Sequence, residues 1–215
     1  MSPSARHTGL LFVVSAPSGA GKTSLVAELI SRTDGLSVCV SHTTRPIRSS
    51  EMDGVNYHFT SVAHFEAMIA DGEFLEHAKV FENYYGTARS SVETALAAGQ
   101  DLILEIDWQG AVQVREQFPQ ARSIFILPPS RSALEQRLRG RGQDAEEVIQ
   151  RRLSQAVEEM SHCHEFDYLV VNDDFQQAAD ELAAIILAAR LSTSAQQEAL
   201  SNEISELLNG SPDSS

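Results

Sequence analysis

The stretch S-A-P-S-G-A-G-K-T-S at residues 15–24 directly follows the apolar run L-L-F-V-V. Its residues Ala16, Pro17, Ser18, Gly19, Ala20, Gly21, Lys22 and Thr23 spell a Walker A phosphate loop, with Ala16 where the first glycine is usual. Gly19 and Gly21 let backbone N–H groups turn inward around an anion, and the helix that follows adds its positive dipole end. Lys22 can reach the β and γ phosphates of a nucleoside triphosphate, and the Thr23 hydroxyl can sit on Mg²⁺. A non-glycine at positive φ would cost about 1 kcal/mol at Ala16. The loop specifies a triphosphate and leaves GTPase, ATPase and small-molecule kinase open. D-W-Q-G at 107–110 imitates the D-x-x-G switch of GTPases, but a lysine-containing guanine reader is missing, since 171–174 reads V-N-D-D.

Further candidates are cationic. Arg45 and Arg48 stand three apart in T-T-R-P-I-R, and Arg131, Arg137, Arg139, Arg141, Arg151 and Arg152 crowd into 131–152. Only Lys22 and Lys79 are lysines, so positive charge is nearly all arginine, the side chain that forks bidentately onto phosphate. The formal net charge is -14, which disfavours a nucleic-acid backbone or an anionic membrane as the main partner and makes any anion site local. Cys39 and Cys163 lie far apart without a C-x-x-C pair, so a disulfide framework or a zinc site is not indicated and a reduced, cytoplasmic setting is expected. H-C-H at 162–164 is not a metal site, because adjacent ligands on a helix point apart. Mg²⁺ is the one metal expected.

These residues need a frame. Apolar runs at 10–14, 102–106, 123–127 and 168–171 read as buried parallel strands, separated by helical patterns at 22–32, 90–98, 109–117, 131–139, 145–160 and 175–190. The fold class is α/β, a parallel sheet flanked by helices. Residues 37–87 break the rhythm with short alternating pieces and a helix that stops at a glycine, which suggests an inserted α+β lobe. After 190, Leu200, Ile204, Leu207 and Leu208 make a narrow apolar stripe before a polar end, equally suited to a docked helix, a dimerising helix or a frayed tail. A homo-oligomer is therefore left open.

The segments S-V-C-V-S-H-T-T-R-P-I-R-S-S-E-M-D-G-V-N-Y-H-F, E-F-L-E-H-A-K-V-F-E-N-Y-Y-G-T and L-E-I-D-W-Q-G-A-V-Q-V-R follow the loop in that order. With P-P-S-R-S-A-L-E-Q-R-L-R-G-R-G-Q-D-A-E-E-V-I-Q-R-R-L and D-Y-L-V-V-N-D-D-F, they make the chain closely resemble the guanylate kinases of the bacterial type over about residues 9–190. The resemblance implies a P-loop core at 1–36 and 100–190 with a lid inserted at about 131–163, a GMP-binding lobe at 37–99, and a helix and tail at 191–215. It implies Mg²⁺-dependent transfer from ATP to GMP in purine nucleotide metabolism. It also implies that Arg45, Arg48, Tyr57 and Tyr85 hold the GMP phosphate. By the same resemblance Glu76 reads guanine, Ser41 and Thr87 lie near the base, Asp107 is a second acidic contact, and Glu105 stands where the family more often has aspartate. Arg137, Arg141 and Arg152 resemble the phosphate-facing arginines and Asn172 the adenine-side contact.

The chemistry of those residues agrees with the roles implied. Guanine presents N1–H and N2–H₂ donors side by side, which suit an ionised carboxylate, whereas adenine would meet it with an unprotonated N1. Taken alone, Glu76 would be a solvated helix-end acid and the two arginines of 45–48 a solvated turn. Trp108 and Phe74 are expected to pack rather than stack on a base, and Arg131, Arg139 and Arg151 to pair with Glu135, Glu146 or Glu147 on a solvated face. Two other classes compete with the kinase for GMP: a silent protein-interaction module, disfavoured by the intact Lys22 and Thr23, and a kinase for AMP, dTMP or a sugar, disfavoured by Glu76.

Overall fold

The computed structural model describes residues 8–80, 82–140 and 146–209. In chain order the elements are β1 (Leu11–Ser15), α1 (Lys22–Arg32), β2 (Leu36–Val38), β3 (His42–Thr43), β4 (His58–Phe59), α2 (Val62–Ala70), β5 (Phe74–Val80), β6 (Asn83–Ala88) and α3 (Arg89–Ala97). Then come β7 (Asp101–Glu105), α4 (Trp108–Gln117), β8 (Arg122–Leu127), α5 (Arg131–Arg139), α6 (Glu146–Ser161), β9 (Tyr168–Val171), α7 (Phe175–Arg190), α8 (Thr193–Ala199) and α9 (Ser201–Asn209).

Strands β2-β7-β1-β8-β9 form one parallel sheet in that order, with β1 paired to β7 from Leu11 against Leu102 and to β8 from Phe12 against Arg122. The central strand reads L-F-V-V-S and is buried throughout, as a strand covered on both faces must be. Its alternation divides the core. Phe12 and Val14 pack with Leu25, Val26 and Leu29 of α1 and Leu182 and Ile186 of α7, while Leu11 and Val13 pack with Val92, Leu96, Ala111 and Val114 on the other face. At about 1.5–3 kcal/mol for each large side chain removed from water, these two layers dominate the stabilisation.

β2 is the one strand of the parallel sheet that periodicity does not reveal. Ser37 and Val38 fall in the segment expected to belong to the lobe, yet Leu36–Val38 pairs with Asp101–Ile103 at the edge of the parallel sheet. Three residues are too few to display a period. The second sheet has the order β4-β3-β6-β5 and is largely antiparallel. It carries α2, capped by Ser61 and ended before Gly72 at φ 68°, over a small core of Phe65, Met68 and Phe74. Helices α5 and α6 bury Leu134, Leu138, Ile149, Leu153 and Ala156 against each other. Helix α9 buries none of its residues, and Leu207 and Leu208 are 84% and 79% exposed.

Candidate active site

The carboxyl ends of the neighbouring strands β7 and β1, and of β9 beyond β8, lie along one edge of the parallel sheet, the edge where open α/β folds bind ligands. Leaving β1, the chain makes a tight turn, with Ala20 N–H donating to Pro17 O at 3.0 Å, and enters α1. Gly19 and Gly21 have φ of 94° and 95°, the left-handed region in which a side chain would be strained. Space is short as well. A Cβ at Gly21 would lie 2.5 Å from Asn172 Nδ2, and one at Gly19 3.1 Å from the methyls of Leu134 and Leu138. The first turn of α1 has neither a side-chain cap nor an acidic residue, so its N–H groups keep their capacity for an anion. Ala16 rests partly buried against the core layer below, and the positive-φ positions of the loop are its two glycines.

The loop is braced from behind. Asn172, buried at the end of β9, donates from Nδ2 to Ala20 O at 2.7 Å. Arg137 of α5 donates to Asn172 O at 2.9 Å and to Ala20 O at 3.4 Å. The contacts that the structure gives these two side chains are thus with backbone carbonyls, of the loop at Ala20 and of Asn172 itself. Lys22 turns forward, donating from Nζ to Ile106 O at 3.3 Å. Burial lowers its pKa, and the carboxylates of Glu105, Asp107, Glu159 and Glu76 oppose that fall. Thr23 Oγ1 donates to Glu105 Oε2 at 3.3 Å from the end of β7. Among the described residues no group of three or more His, Cys, Asp or Glu could hold a metal ion.

Across a cleft of about 410 Å³ stands the second sheet. Glu76 on β5 is 3% exposed and accepts a 2.5 Å hydrogen bond from Thr87 Oγ1 on β6; Thr87 in turn lies 3.0 Å from Ser41 Oγ. Burial pushes Glu76 up to about 7, raised further by Asp107 and held back by the Thr87 hydrogen bonds and Lys22. Gly110 makes room for it, since a Cβ there would lie 2.7 Å from Glu76 Oε2. Asp107 caps α4 by accepting from Gly110 N–H at 2.8 Å. The cleft is lined by the loop, Ser41, Tyr57, Glu76, Tyr85, Glu105, Asp107 and Glu159, which brings stretches far apart in the chain to one space.

Arg45 stands over the rings of Tyr57 and Phe59 and forks onto Glu51 at 2.7 and 3.0 Å, with Glu51 also accepting from Arg48 N–H at 2.8 Å. The Arg48 side chain is exposed. Tyr57 and Tyr85 meet edge to face at 5.9 Å, and burial raises Tyr57. Arg152 is half-buried on α6, and Arg141 lies outside the described residues. Arg139 pairs with Glu135 and Glu146 on the solvated face. His162 stacks on Trp108 at 3.6 Å and bonds Glu165, and Phe74 stacks on Phe65, so neither Trp108 nor Phe74 is a free platform.

Sequence reasoning missed Glu51, Gly110 and Glu159. The first two carried a signal, an acid three residues after Arg48 and a glycine inside a helix; Glu159 carried none beyond lying seven residues after Arg152.

The chain matches the family model described as "Guanylate kinase" over residues 9–189. It is 57% identical over 200 residues to a guanylate kinase of Alkalilimnicola ehrlichii, covering 93% of this chain and 98% of that one. It is 59% identical over 182 residues to one of Chromohalobacter salexigens, covering 85% of each. The crystal structure of guanylate kinase from Anaplasma phagocytophilum superposes with a TM-score of 0.75 at 32% identity, over 93% of this chain and 97% of that one.

Proposed function

The chain belongs to the guanylate kinase family, and on that premise we propose how its own residues carry out that family's reaction, ATP + GMP to ADP + GDP. The donor triphosphate lies on the loop from Ala16 to Thr23, held by the uncapped amides of α1 and by Lys22. Asn172 and Arg137 keep the loop in shape from behind, and Asn172 borders the adenine side. The acceptor base lies against Glu76, whose ionised carboxylate takes the N1–H and N2–H₂ donors, with Ser41, Thr87 and Asp107 beside it. Arg45, Arg48, Tyr57 and Tyr85 take the GMP phosphate, and Glu51 holds the Arg45 fork in the meantime.

A general base is not required. The second pKa of a phosphate monoester is about 6, so the attacking oxygen is largely deprotonated at neutral pH. What the protein must supply is alignment of two anions and relief of their repulsion. Of the three arginines that the family resemblance implies for the transferring group, Arg152 of α6 is the one assigned to face it, Arg137 acts through the loop it braces, and Arg141 lies outside the described residues. Thr23 Oγ1 and the Glu105 carboxylate would hold Mg²⁺, which would supply positive charge against the phosphates. The longer Glu105 fills the position at the end of β7 with its carboxylate already at Thr23. The nucleotide substrates make the cytoplasm the proposed compartment. No helix among the described residues is long and apolar enough to cross a membrane.

The single observation that carries the assignment is the buried Glu76 carboxylate in the same cleft as the phosphate loop. A coupled ADP-release assay with ATP and GMP, AMP, CMP, UMP or dTMP tests it. Strong preference for GMP is expected; turnover of another monophosphate would overturn the base-reading role, and none at all would favour a silent binding module.

A further inference from the structure

Four carboxylates surround Lys22. Glu76, Glu105 and Asp107 have roles above, and Glu159 has none. It reaches the cleft from α6, where its Oε2 accepts from Ser18 N–H at 3.2 Å. Burial raises its pKa, with Asp107 adding to the rise, while the Ser18 bond and Lys22 oppose it. A carboxylate on an amide of a phosphate loop, within the field of the loop lysine, occupies a position suited to a phosphate oxygen.

Helix α6 ties this carboxylate to the arginine helices. Arg152 and Glu159 are seven residues apart, two helical turns, and so project from one face. Ala156 between them is fully buried against α5, and Leu134 and Leu138 of α5 press on the same loop beside Gly19. Movement of Glu159 off Ser18 therefore bears on the helix that carries Arg152.

We propose that Glu159 is a positioning residue for the donor: without nucleotide its carboxylate holds the anion position at Ser18 N–H, and the terminal phosphate of ATP displaces it. The inference rests on the loop being the donor site. ATP must displace or share with a like charge, and ADP, one phosphate shorter, does not. The lid helix thereby registers the terminal phosphate itself.

Calorimetric titration with Mg·ATP and with Mg·ADP, without acceptor, tests this on wild type, Glu159→Gln, Glu158→Gln and Lys22→Ala. Glu159→Gln retains an acceptor for Ser18 but no charge, and should bind ATP about tenfold more tightly, the scale of a partly screened like-charge contact. Its ADP affinity should stay within about twofold. Glu158, its exposed neighbour, removes the same charge away from the cleft and should change neither. Unchanged or weaker ATP binding in Glu159→Gln, or an equal gain for ADP, would overturn the inference. If Lys22→Ala loses ATP while Glu159→Gln matches wild type, the donor site stands and this inference alone fails. Wild-type ATP affinity in Lys22→Ala would remove both. Should Glu159→Gln not fold, Glu159→Asp, whose shorter arm withdraws the charge, should shift ATP affinity in the same direction, and no shift would count against the displacement.

Discussion

Replacing Glu76 by glutamine should make the nucleotide-free protein more stable while removing its hold on guanine. The carboxyl rises from an ordinary 4.5 to about 7, chiefly because it is buried. A folded pKa above the unfolded one means that the folded state binds the proton more tightly, so stability is full below the unfolded value and falls as pH rises through the folded one. At 1.36 kcal/mol per pH unit, keeping Glu76 ionised costs about 3 kcal/mol above pH 8 and about 1 kcal/mol or less at pH 5. The neutral amide avoids that cost and can still accept from Thr87. Urea denaturation of wild type and Glu76→Gln at pH 8 and pH 5 should show a gain approaching 3 kcal/mol at the higher pH and little at the lower. The same substitution sets an amide donor against the guanine donors, and the loss of hydrogen bonds to a charged acceptor, about 1.5–3 kcal/mol each, should weaken GMP by tenfold or more while ATP binding stays unchanged. A variant no more stable than wild type at pH 8, or equally stabilised at both pH values, would refute the buried-charge reasoning. Retained GMP affinity would refute the base reading.

Other substitutions address the loop and its supports. Lys22→Ala should abolish ADP release in the coupled assay while GMP still binds in equilibrium titration. Gly110→Ala places a Cβ 2.7 Å from Glu76 Oε2, so the KM for GMP should rise about tenfold or more with that for ATP unaltered, and an unchanged GMP KM would show that the carboxylate has room to move. Asn172→Ala strips Ala20 O of its shortest partner and should cost about 1–3 kcal/mol in thermal unfolding and raise the KM for ATP before that for GMP.

How much of this was legible depends on how local each feature is. The bounds of α1 and of α3 to α7, and four of the five parallel strands, follow from periodicity, because a strand buried on both faces and an amphipathic helix each repeat their signal over several residues; the separate short helix α8 does not. The edge strand Leu36–Val38 and the two-residue strands of the lobe do not, since they are defined by pairing partners and not by their own composition. The phosphate loop was readable because its glycines, lysine and threonine are contiguous and its anion cradle is made of backbone.

The opposite wall of the cleft was not readable from composition or spacing. Glu76, Thr87, Ser41 and Gly110 come from four separated segments, and only folding makes Glu76 buried, hydrogen-bonded and raised toward 7. As isolated letters they describe a solvated acid, two hydroxyls and a glycine inside a helix; their resemblance to a family pattern supplied roles without a reason. The amino-acid sequence by itself determined the α/β class, the phosphate loop and the family. Tertiary structure alone decided that Asn172 and Arg137 brace the loop from behind, that Glu51 holds Arg45, and that a carboxylate of α6 rests on Ser18. The physical reason is that burial and charge proximity set what a carboxylate or an arginine does, and both belong to the assembled environment of a side chain.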